Sequence, residues 1–95
     1  MNVPDTIQQT THHGAAAFNA VAMERCAQDR KWGTQNHDPC KWVAILAEEV
    51  GELAEQSLQF RGYSEESRES LRMEAVQCAA VAIALVEWIE RGMPK

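Results

Sequence analysis

The sequence predicts an all-α protein, an antiparallel helical bundle that homo-oligomerisation completes. Three stretches of good helix formers carry apolar residues at helical spacing, and turn-forming residues separate them. No stretch alternates apolar with polar residues as a half-buried strand does. The chain has 95 residues, enough for one small domain, and short connections between long helices favour antiparallel neighbours.

The first predicted helix follows a polar arm. Residues 1–14 include Pro4 and Gly14 and show no apolar periodicity, so we expect a flexible arm here and a single helical domain over residues 15–95. From Ala15 to about Lys31 the residues are good helix formers, and the apolar side chains of Phe18, Val21, Ala22 and Cys26 recur at helical spacing until Gly33 interrupts the pattern.

The second predicted helix has clear signals at both ends. Asp38 followed by Pro39 is typical of an N-cap and first helical position, and the pattern continues to about Phe60. Arg61 and Gly62 then supply a cation in the last turn and a terminating glycine. The third helix begins after Ser64, with a possible break near Glu69, and extends to Arg91 before Gly92.

The third helix also indicates self-association. Residues 78–86 are apolar around the whole helical circumference, and two neighbouring helices cannot cover every side of such a helix. We therefore expect a homodimer or a homotetramer. Ordinary core packing in a monomer is the alternative.

Charge and composition exclude several classes of protein. Nine Lys and Arg against fourteen Asp and Glu give a net charge of −5, and no basic run exists to replace the counterions of a nucleic acid. No apolar run is long enough to cross a membrane. Three cysteines without a C-x-x-C spacing fit neither a disulfide framework nor a four-sulfur zinc site, so with no visible secretory signal we expect a cytoplasmic protein.

Acidic residues border the apolar faces of the second and third helices. Glu49 and Glu52 lie beside the arc expected to face the core, and Glu48 borders the same group. That arc consists of Trp42, Leu46, Val50, Leu53 and Phe60. On the third helix, Glu74 and Gln77 head the stripe that continues through Val81, Leu85 and Trp88.

Antiparallel packing of these two helices would bring the stripes together, so Glu49, Glu52, Glu74 and Gln77 are expected to converge. Oxygen donors without nitrogen or sulfur suit Mg²⁺ or Mn²⁺, which also take phosphate oxygens as ligands. The alternative is an ordinary solvated acidic face. An unpaired buried carboxylate costs several kcal/mol, by order of magnitude, and this cost favours a cation at the site.

These motifs resemble those of the MazG-like all-α nucleoside triphosphate pyrophosphohydrolases, whose signature is E-E-x-x-E on one helix and E-x-x-D on the next. The first half reads Glu48-Glu49-Val50-Gly51-Glu52, inside ILAEEVGELAE, and the second reads Glu74-Ala75-Val76-Gln77. The resemblance covers roughly residues 24–90 and includes the upstream segment KWGTQNHD, typical of small phage- and mobile-element-type members. Gln77 departs from the pattern because it stands where the family has an aspartate.

The resemblance implies Mg²⁺-dependent hydrolysis of a (deoxy)nucleoside triphosphate to the monophosphate and diphosphate, for example in cleansing the nucleotide pool. It further implies that Glu49, Glu52 and Glu74 hold the metal, that Gln77 fills the fourth place and that Glu48 orients or deprotonates the attacking water. Because an amide oxygen carries no charge, the alternative is a catalytically weak or inactive helical module that binds nucleotides or a partner. A purely structural bundle is a third possibility.

Residues near the start of the second helix are candidates for substrate binding. Lys41 lies one turn before Ile45 on the edge that leads to the acids, where it could contact phosphate or simply be solvated. Lys31, Trp32, Gln35 and His37 precede the helix. Trp32 could stack on a base or plug the core, and Gln35 or His37 could hydrogen-bond the base.

Overall fold

Three α-helices make up the fold. A computed structural model describes residues 14–62 and 64–95, with α1 at Ala15–Trp32, α2 at Pro39–Gln59 and α3 at Glu65–Glu90. These ranges contain no β-strand, so the all-α prediction is confirmed. Apart from Gly14, the predicted N-terminal arm lies outside the described residues.

The helix ends follow the local signals in the sequence except at the C-terminus of α2. This helix ends at Gln59, with Phe60 in an extended conformation, before the predicted cation and terminating glycine at Arg61 and Gly62. The Asp38 carboxylate accepts a hydrogen bond from the backbone N–H of Lys41 at 3.0 Å and caps α2. The Ser64 hydroxyl accepts from the Ser67 N–H at 3.1 Å and caps α3. From there α3 is continuous through Glu69, so the break that the sequence allowed there does not occur.

At its C-terminal end, α3 closes with a Schellman motif. The Met93 N–H donates to the Trp88 carbonyl and the Gly92 N–H to the Ile89 carbonyl, each at 3.0 Å. Gly92 adopts a φ of 92°, a conformation that side chains with a Cβ rarely take. The chain therefore turns back over the helix end, where the Trp88 indole N–H donates to the Pro94 carbonyl at 2.9 Å.

The central element is α3, because α1 and α2 each pack mainly on it and make few contacts with each other. Trp42, near the start of α2, lies 6.3 Å from Trp88, near the end of α3, measured between ring centroids. Further along α2, Glu52 lies beside Glu74, near the start of α3, so these two helices are antiparallel. The core consists of Trp42, Ala84 and Trp88, with Leu85 packed against it.

Polar contacts attach α1 to α3. No residue of α1 is buried, and Phe18, which the helical pattern placed on the apolar side, is 61% exposed. The Arg25 guanidinium instead donates to the Glu87 carboxylate through Nε, at 2.9 Å, and through Nη2. In the loop after α1, the Gln35 carbonyl accepts a hydrogen bond from Arg91 at 3.0 Å.

Several apolar side chains expected in the core are exposed in this fold. Val50, placed on the core-facing arc of α2, is 49% exposed, whereas Leu46 and Leu53 on the same arc are half-buried, because Val50 lies at the edge of the arc. On α3, a face containing Ile83, Val86 and Ile89 is about half exposed, since α1 and α2 cover the other sides. None of the described helices combines the length and the apolar character that crossing a membrane requires.

Candidate functional site

Three acidic side chains from two helices meet at one point. Glu49 and Glu52 from α2 and Glu74 from α3 each place one carboxylate oxygen within 4.8 Å of the others. We call this group the acidic triad. Antiparallel packing of α2 on α3 produces it, since the third and fourth turns of α2 lie opposite the third turn of α3.

Buried, uncompensated oxygen atoms distinguish the triad from an ordinary acidic surface. Glu49 Oε2 and Glu74 Oε2 are both inaccessible to solvent, and no donor in the described residues hydrogen-bonds to either atom. None of the ion pairs in that part of the chain involves the triad. Two buried carboxylate oxygens therefore lack a positive or hydrogen-bonding partner, an arrangement that is costly unless a cation or proton joins them.

The ionisation of the triad reflects this cost. Burial is the main reason that the pKa of Glu49 is raised above the ordinary value for a glutamate, and the charges of Glu52 and Glu74 raise it further. The pKa of Glu74 is raised for the same reasons, burial first and the charge of Glu52 second. Burial and the triad also raise the pKa of the nearby Cys78 thiol. A divalent cation would offset this repulsion directly.

Two predicted residues lie at the edge of the triad. Glu48 is exposed on α2, and its charge adds to the raised pKa of Glu49. Gln77, one turn after Glu74 on α3, is half-buried and shares a groove with Glu49. Both residues are therefore near the triad, and Gln77 offers an amide oxygen without charge.

A small groove of about 250 Å³ connects α1 to the triad. Glu49 and Gln77 form one part of its lining, and α1 supplies Glu24, Gln28, Lys31 and Trp32. The Lys31 ammonium lies 4.8 Å from the centroid of the Trp32 ring, a distance typical of a cation–π contact. This groove therefore combines acids, amides, a cation and an aromatic ring.

A larger groove of about 670 Å³ lies between the three helices and shares Gln28, Trp32 and Glu49 with the small groove. Its apolar lining includes the buried side chains of Trp42, Val81 and Ala84. The rest of the lining is largely polar and includes both cations and acids: Arg25, Arg91, Asp29, Glu49, Glu87 and Glu90. A concave surface that combines aromatic and polar groups can accommodate a small organic molecule. The large groove thus borders the small groove beside the triad.

The predicted substrate-binding residues differ in whether they line a groove. Trp32 is 60% exposed, so it is not a core plug, and Gln35 lines the large groove. His37 lines neither groove but packs edge-on against Trp42, with ring centroids 4.9 Å apart. Lys41 is exposed and also lines neither groove, whereas Lys31 lies in the small one.

Sequence reasoning named Lys31 and Trp32 but placed them in a loop rather than in the last turn of α1, and it missed Glu24 and Gln28 beside them. Glu24, Gln28 and Lys31 recur at helical spacing and therefore share one face of α1, which is polar. That face is the one that closes the small groove. The polar stripe on α1 was the sequence signal that could have indicated these groove residues. Such a stripe on a helix is ordinarily interpreted as a solvated surface.

Comparison of the chain with protein-family models, with curated proteins and with solved structures finds no match. Chemically, the site can hold a hard divalent cation by its oxygen atoms and present a cationic and an aromatic group beside it.

Proposed function

We propose that the protein is a Mg²⁺-dependent nucleoside triphosphate pyrophosphohydrolase that converts a (d)NTP and water to the (d)NMP and diphosphate. The observation that carries this proposal is the acidic triad of Glu49, Glu52 and Glu74, with one oxygen from each within 4.8 Å of the others. The residues of the triad also form the motif by which the chain resembles the MazG-like enzymes, a resemblance that requires Gln77 to replace an aspartate.

The donor set fits Mg²⁺, with Mn²⁺ as a second possibility. All three side chains offer hard oxygen atoms. The buried carboxylate oxygens of Glu49 and Glu74 have no hydrogen-bond partner in the described residues, and a bound cation would neutralise their negative charge. In the proposal Gln77 adds its amide oxygen. Mg²⁺, when bound, polarises the phosphate oxygens and lowers the pKa of a coordinated water.

The side chains around the triad would bind and orient the reactants. Glu48 is exposed and precedes Glu49 on α2, and in this proposal it orients the attacking water or accepts its proton. The water oxygen forms the new bond to the α phosphorus. The bond between this phosphorus and the bridging oxygen breaks, and that oxygen leaves with diphosphate. No covalent intermediate on the protein is needed.

Substrate binding divides between the two grooves in this proposal. Lys31 is the better candidate for a phosphate contact than Lys41, because Lys31 shares the small groove with Glu49 and Gln77. The large groove would hold the nucleoside, with Trp32 stacking on the base at its edge and Gln35 offering hydrogen bonds. His37 would act indirectly, through its contact with Trp42.

The experiment is a substrate panel. The purified protein is incubated with each common NTP and dNTP, with Mg²⁺ or with EDTA, and the products are separated by ion-exchange chromatography. We expect metal-dependent release of monophosphate and diphosphate from at least one substrate. Glu49→Gln or Glu74→Gln should abolish turnover without loss of helical circular dichroism, whereas Gln59→Glu, at the exposed end of α2, should retain it. Retained turnover in both triad variants would refute the site assignment.

A catalytically weak or inactive nucleotide-binding or interaction module is the second candidate. The observation that favours it is Gln77, which lines the small groove and leaves the set of four oxygen ligands with one negative charge fewer than the family pattern. Gln77→Asp separates the two candidates. Activity that appears only in this variant identifies the module, and activity in the unchanged protein identifies the enzyme.

We also propose that the protein works as a homodimer or homotetramer in the cytoplasm. The half-exposed face of Ile83, Val86 and Ile89 on the central helix supports this, as does the small core of the single chain. Light scattering after size exclusion should give a multiple of the 10.6 kDa chain mass. Ile83→Glu should shift the mass toward the monomer, and an unchanged mass in this variant would exclude the face as the interface.

A further inference from the structure

The junction of the two grooves is formed by three residues, Gln28, Trp32 and Glu49, which line both. Glu49 belongs to the triad and Trp32 is the exposed aromatic side chain. Gln28 lies on α1 and has no role in the motifs of the sequence. Gln28 therefore borders both the small groove beside Glu49 and the large groove.

A network on α1 and α3 fixes the orientation of the Gln28 amide. The Arg25 Nη1 donates to Gln28 Oε1 at 2.9 Å, and the same guanidinium is held by Glu87 and by Asp29, the latter at 3.0 Å. Because a guanidinium only donates, the amide oxygen has to face Arg25. The Gln28 Nε2 group, with its two N–H donors, therefore points away from Arg25.

Those two donors have no partner within the described residues, and the side chain that carries them lines both grooves. In the part of the chain that the structure describes, Gln28 Nε2 makes no hydrogen bond, and it is not among the buried polar atoms without partners. The Arg25 side chain that orients it is only 12% exposed, so the support is rigid by comparison with a surface glutamine. An oriented, neutral pair of donors beside a negative triad suits an anionic oxygen atom that a bound cation brings to the site.

We propose that Gln28 is a substrate-binding residue that donates to a phosphate oxygen at the junction, the one nearest the nucleoside, and that Arg25 is its positioning residue. This inference rests on the proposed function, since it places the phosphates at the triad and the nucleoside in the large groove. It assigns to the Arg25–Glu87 ion pair a second role besides holding α1 on α3.

Two variants of Gln28 test the donor, and one distant variant controls for charge. Gln28→Met keeps the size of the side chain without polar atoms, and Gln28→Glu keeps an oxygen for Arg25 but removes both N–H groups. Gln59→Glu makes the same chemical change at an exposed position outside both grooves. Nucleotide binding is measured by quenching of tryptophan emission with each NTP and dNTP, using Ca²⁺ in place of Mg²⁺ to suppress turnover, and KM and kcat are measured with Mg²⁺.

We expect both Gln28 variants to weaken nucleotide binding by about 10-fold or more, the scale of a lost hydrogen bond to a charged group. KM should rise more than kcat falls, the helical circular dichroism should stay that of the unchanged protein, and Gln59→Glu should bind normally. Arg25→Lys, which keeps a positive charge but loses the guanidinium fork, should fall between the unchanged protein and Gln28→Met.

Binding by Gln28→Met within twofold of the unchanged protein would overturn the inference and leave the proposed function standing, provided that the unchanged protein hydrolyses a nucleotide. Loss of binding accompanied by an equal loss in Gln59→Glu would overturn it as well, because the effect would then be one of charge. If the unchanged protein neither binds nor hydrolyses any nucleotide of the panel, the proposed function fails and the inference fails with it.

Discussion

Replacing Glu49 by glutamine should stabilise the folded protein at neutral pH while it abolishes the proposed activity. The substitution keeps the size of the side chain and removes one of three charges whose oxygen atoms lie within 4.8 Å of one another. Natural sites that concentrate like charge for function commonly lose stability by doing so. The direction of the effect is therefore the opposite of that for most substitutions of partly buried residues.

The pH dependence of this effect follows from the raised pKa of Glu49, which burial causes first and the charges of Glu52 and Glu74 second. A raised pKa in the folded state means that the folded protein holds the proton more tightly than the unfolded chain. The ionised side chain thus destabilises the fold fully above the folded-state pKa, and the cost vanishes below the unfolded value of about 4.3. Stability should fall as the pH rises through this window.

The magnitude can be estimated from the distances. Two unit charges about 4 Å apart repel by about 1 kcal/mol at the dielectric constant of water and by more in a partly buried site. Glu52 is exposed, so screening keeps the interaction near the lower value. A gain of about 1 kcal/mol in the free energy of unfolding corresponds to a rise of about 4–8 °C in Tm for a domain of this size.

Thermal unfolding followed by circular dichroism, in EDTA, measures this effect at pH 7 and at pH 4. We expect Glu49→Gln to melt higher than the unchanged protein at pH 7 and at the same temperature at pH 4. The matched control is Glu55→Gln, an exposed carboxylate on the same helix whose charge has only a minor effect on Glu74, so its shift should be much smaller. A Tm of Glu49→Gln at or below that of the unchanged protein at pH 7 would refute the electrostatic reasoning. If Mg²⁺ raises the Tm of the unchanged protein but not that of Glu49→Gln, the triad binds the cation.

Three further predictions concern packing and reactivity. Arg25→Ala should lower the free energy of unfolding by about 1–2 kcal/mol, because it removes hydrogen bonds to a partly exposed Glu87; urea denaturation measures this, and an unchanged midpoint would contradict it. Trp42→Ala should remove about 3–5 kcal/mol and leave the chain largely unfolded by circular dichroism, since this side chain is 3% exposed at the centre of the core; a native spectrum would contradict the assigned core. Iodoacetamide at pH 8 should alkylate Cys78 more slowly than either exposed cysteine, because burial and the neighbouring acids raise the pKa of its thiol; equal rates, measured by mass spectrometry, would refute this.

Local signals in the sequence were sufficient to predict the helices and the meeting of the acids. The Asp38 and Ser64 caps and Gly92 place three helix ends, because a cap depends on a few adjacent residues. The convergence of Glu49 with Glu74 follows from two stripes and one assumption, that consecutive long helices are antiparallel.

The features that sequence reasoning missed depend on how the helices pack. Whether Lys31 or Lys41 reaches the small groove is decided by the position of α1 on α3, which is set by long-range contacts such as that of Arg25 with Glu87. The exposure of Val50 has a similar cause, since helical periodicity assigns a residue to a face but does not say which part of that face a neighbouring helix covers.

The position of α1, which long-range contacts decide, bears directly on the proposed function. This helix buries no residue, yet it carries Gln28, Lys31 and Trp32, the groups that would bind the substrate. A segment that is held by a few polar contacts and few buried apolar ones belongs to the less stable part of a fold, from which elements that respond to ligands are drawn. The acids lie instead on α2 and α3, which share the tryptophan core. The fold thus places the proposed metal ligands on its best-packed helices and the proposed substrate contacts on its most weakly attached one. Substrate binding should therefore strengthen the attachment of α1 without displacing the triad.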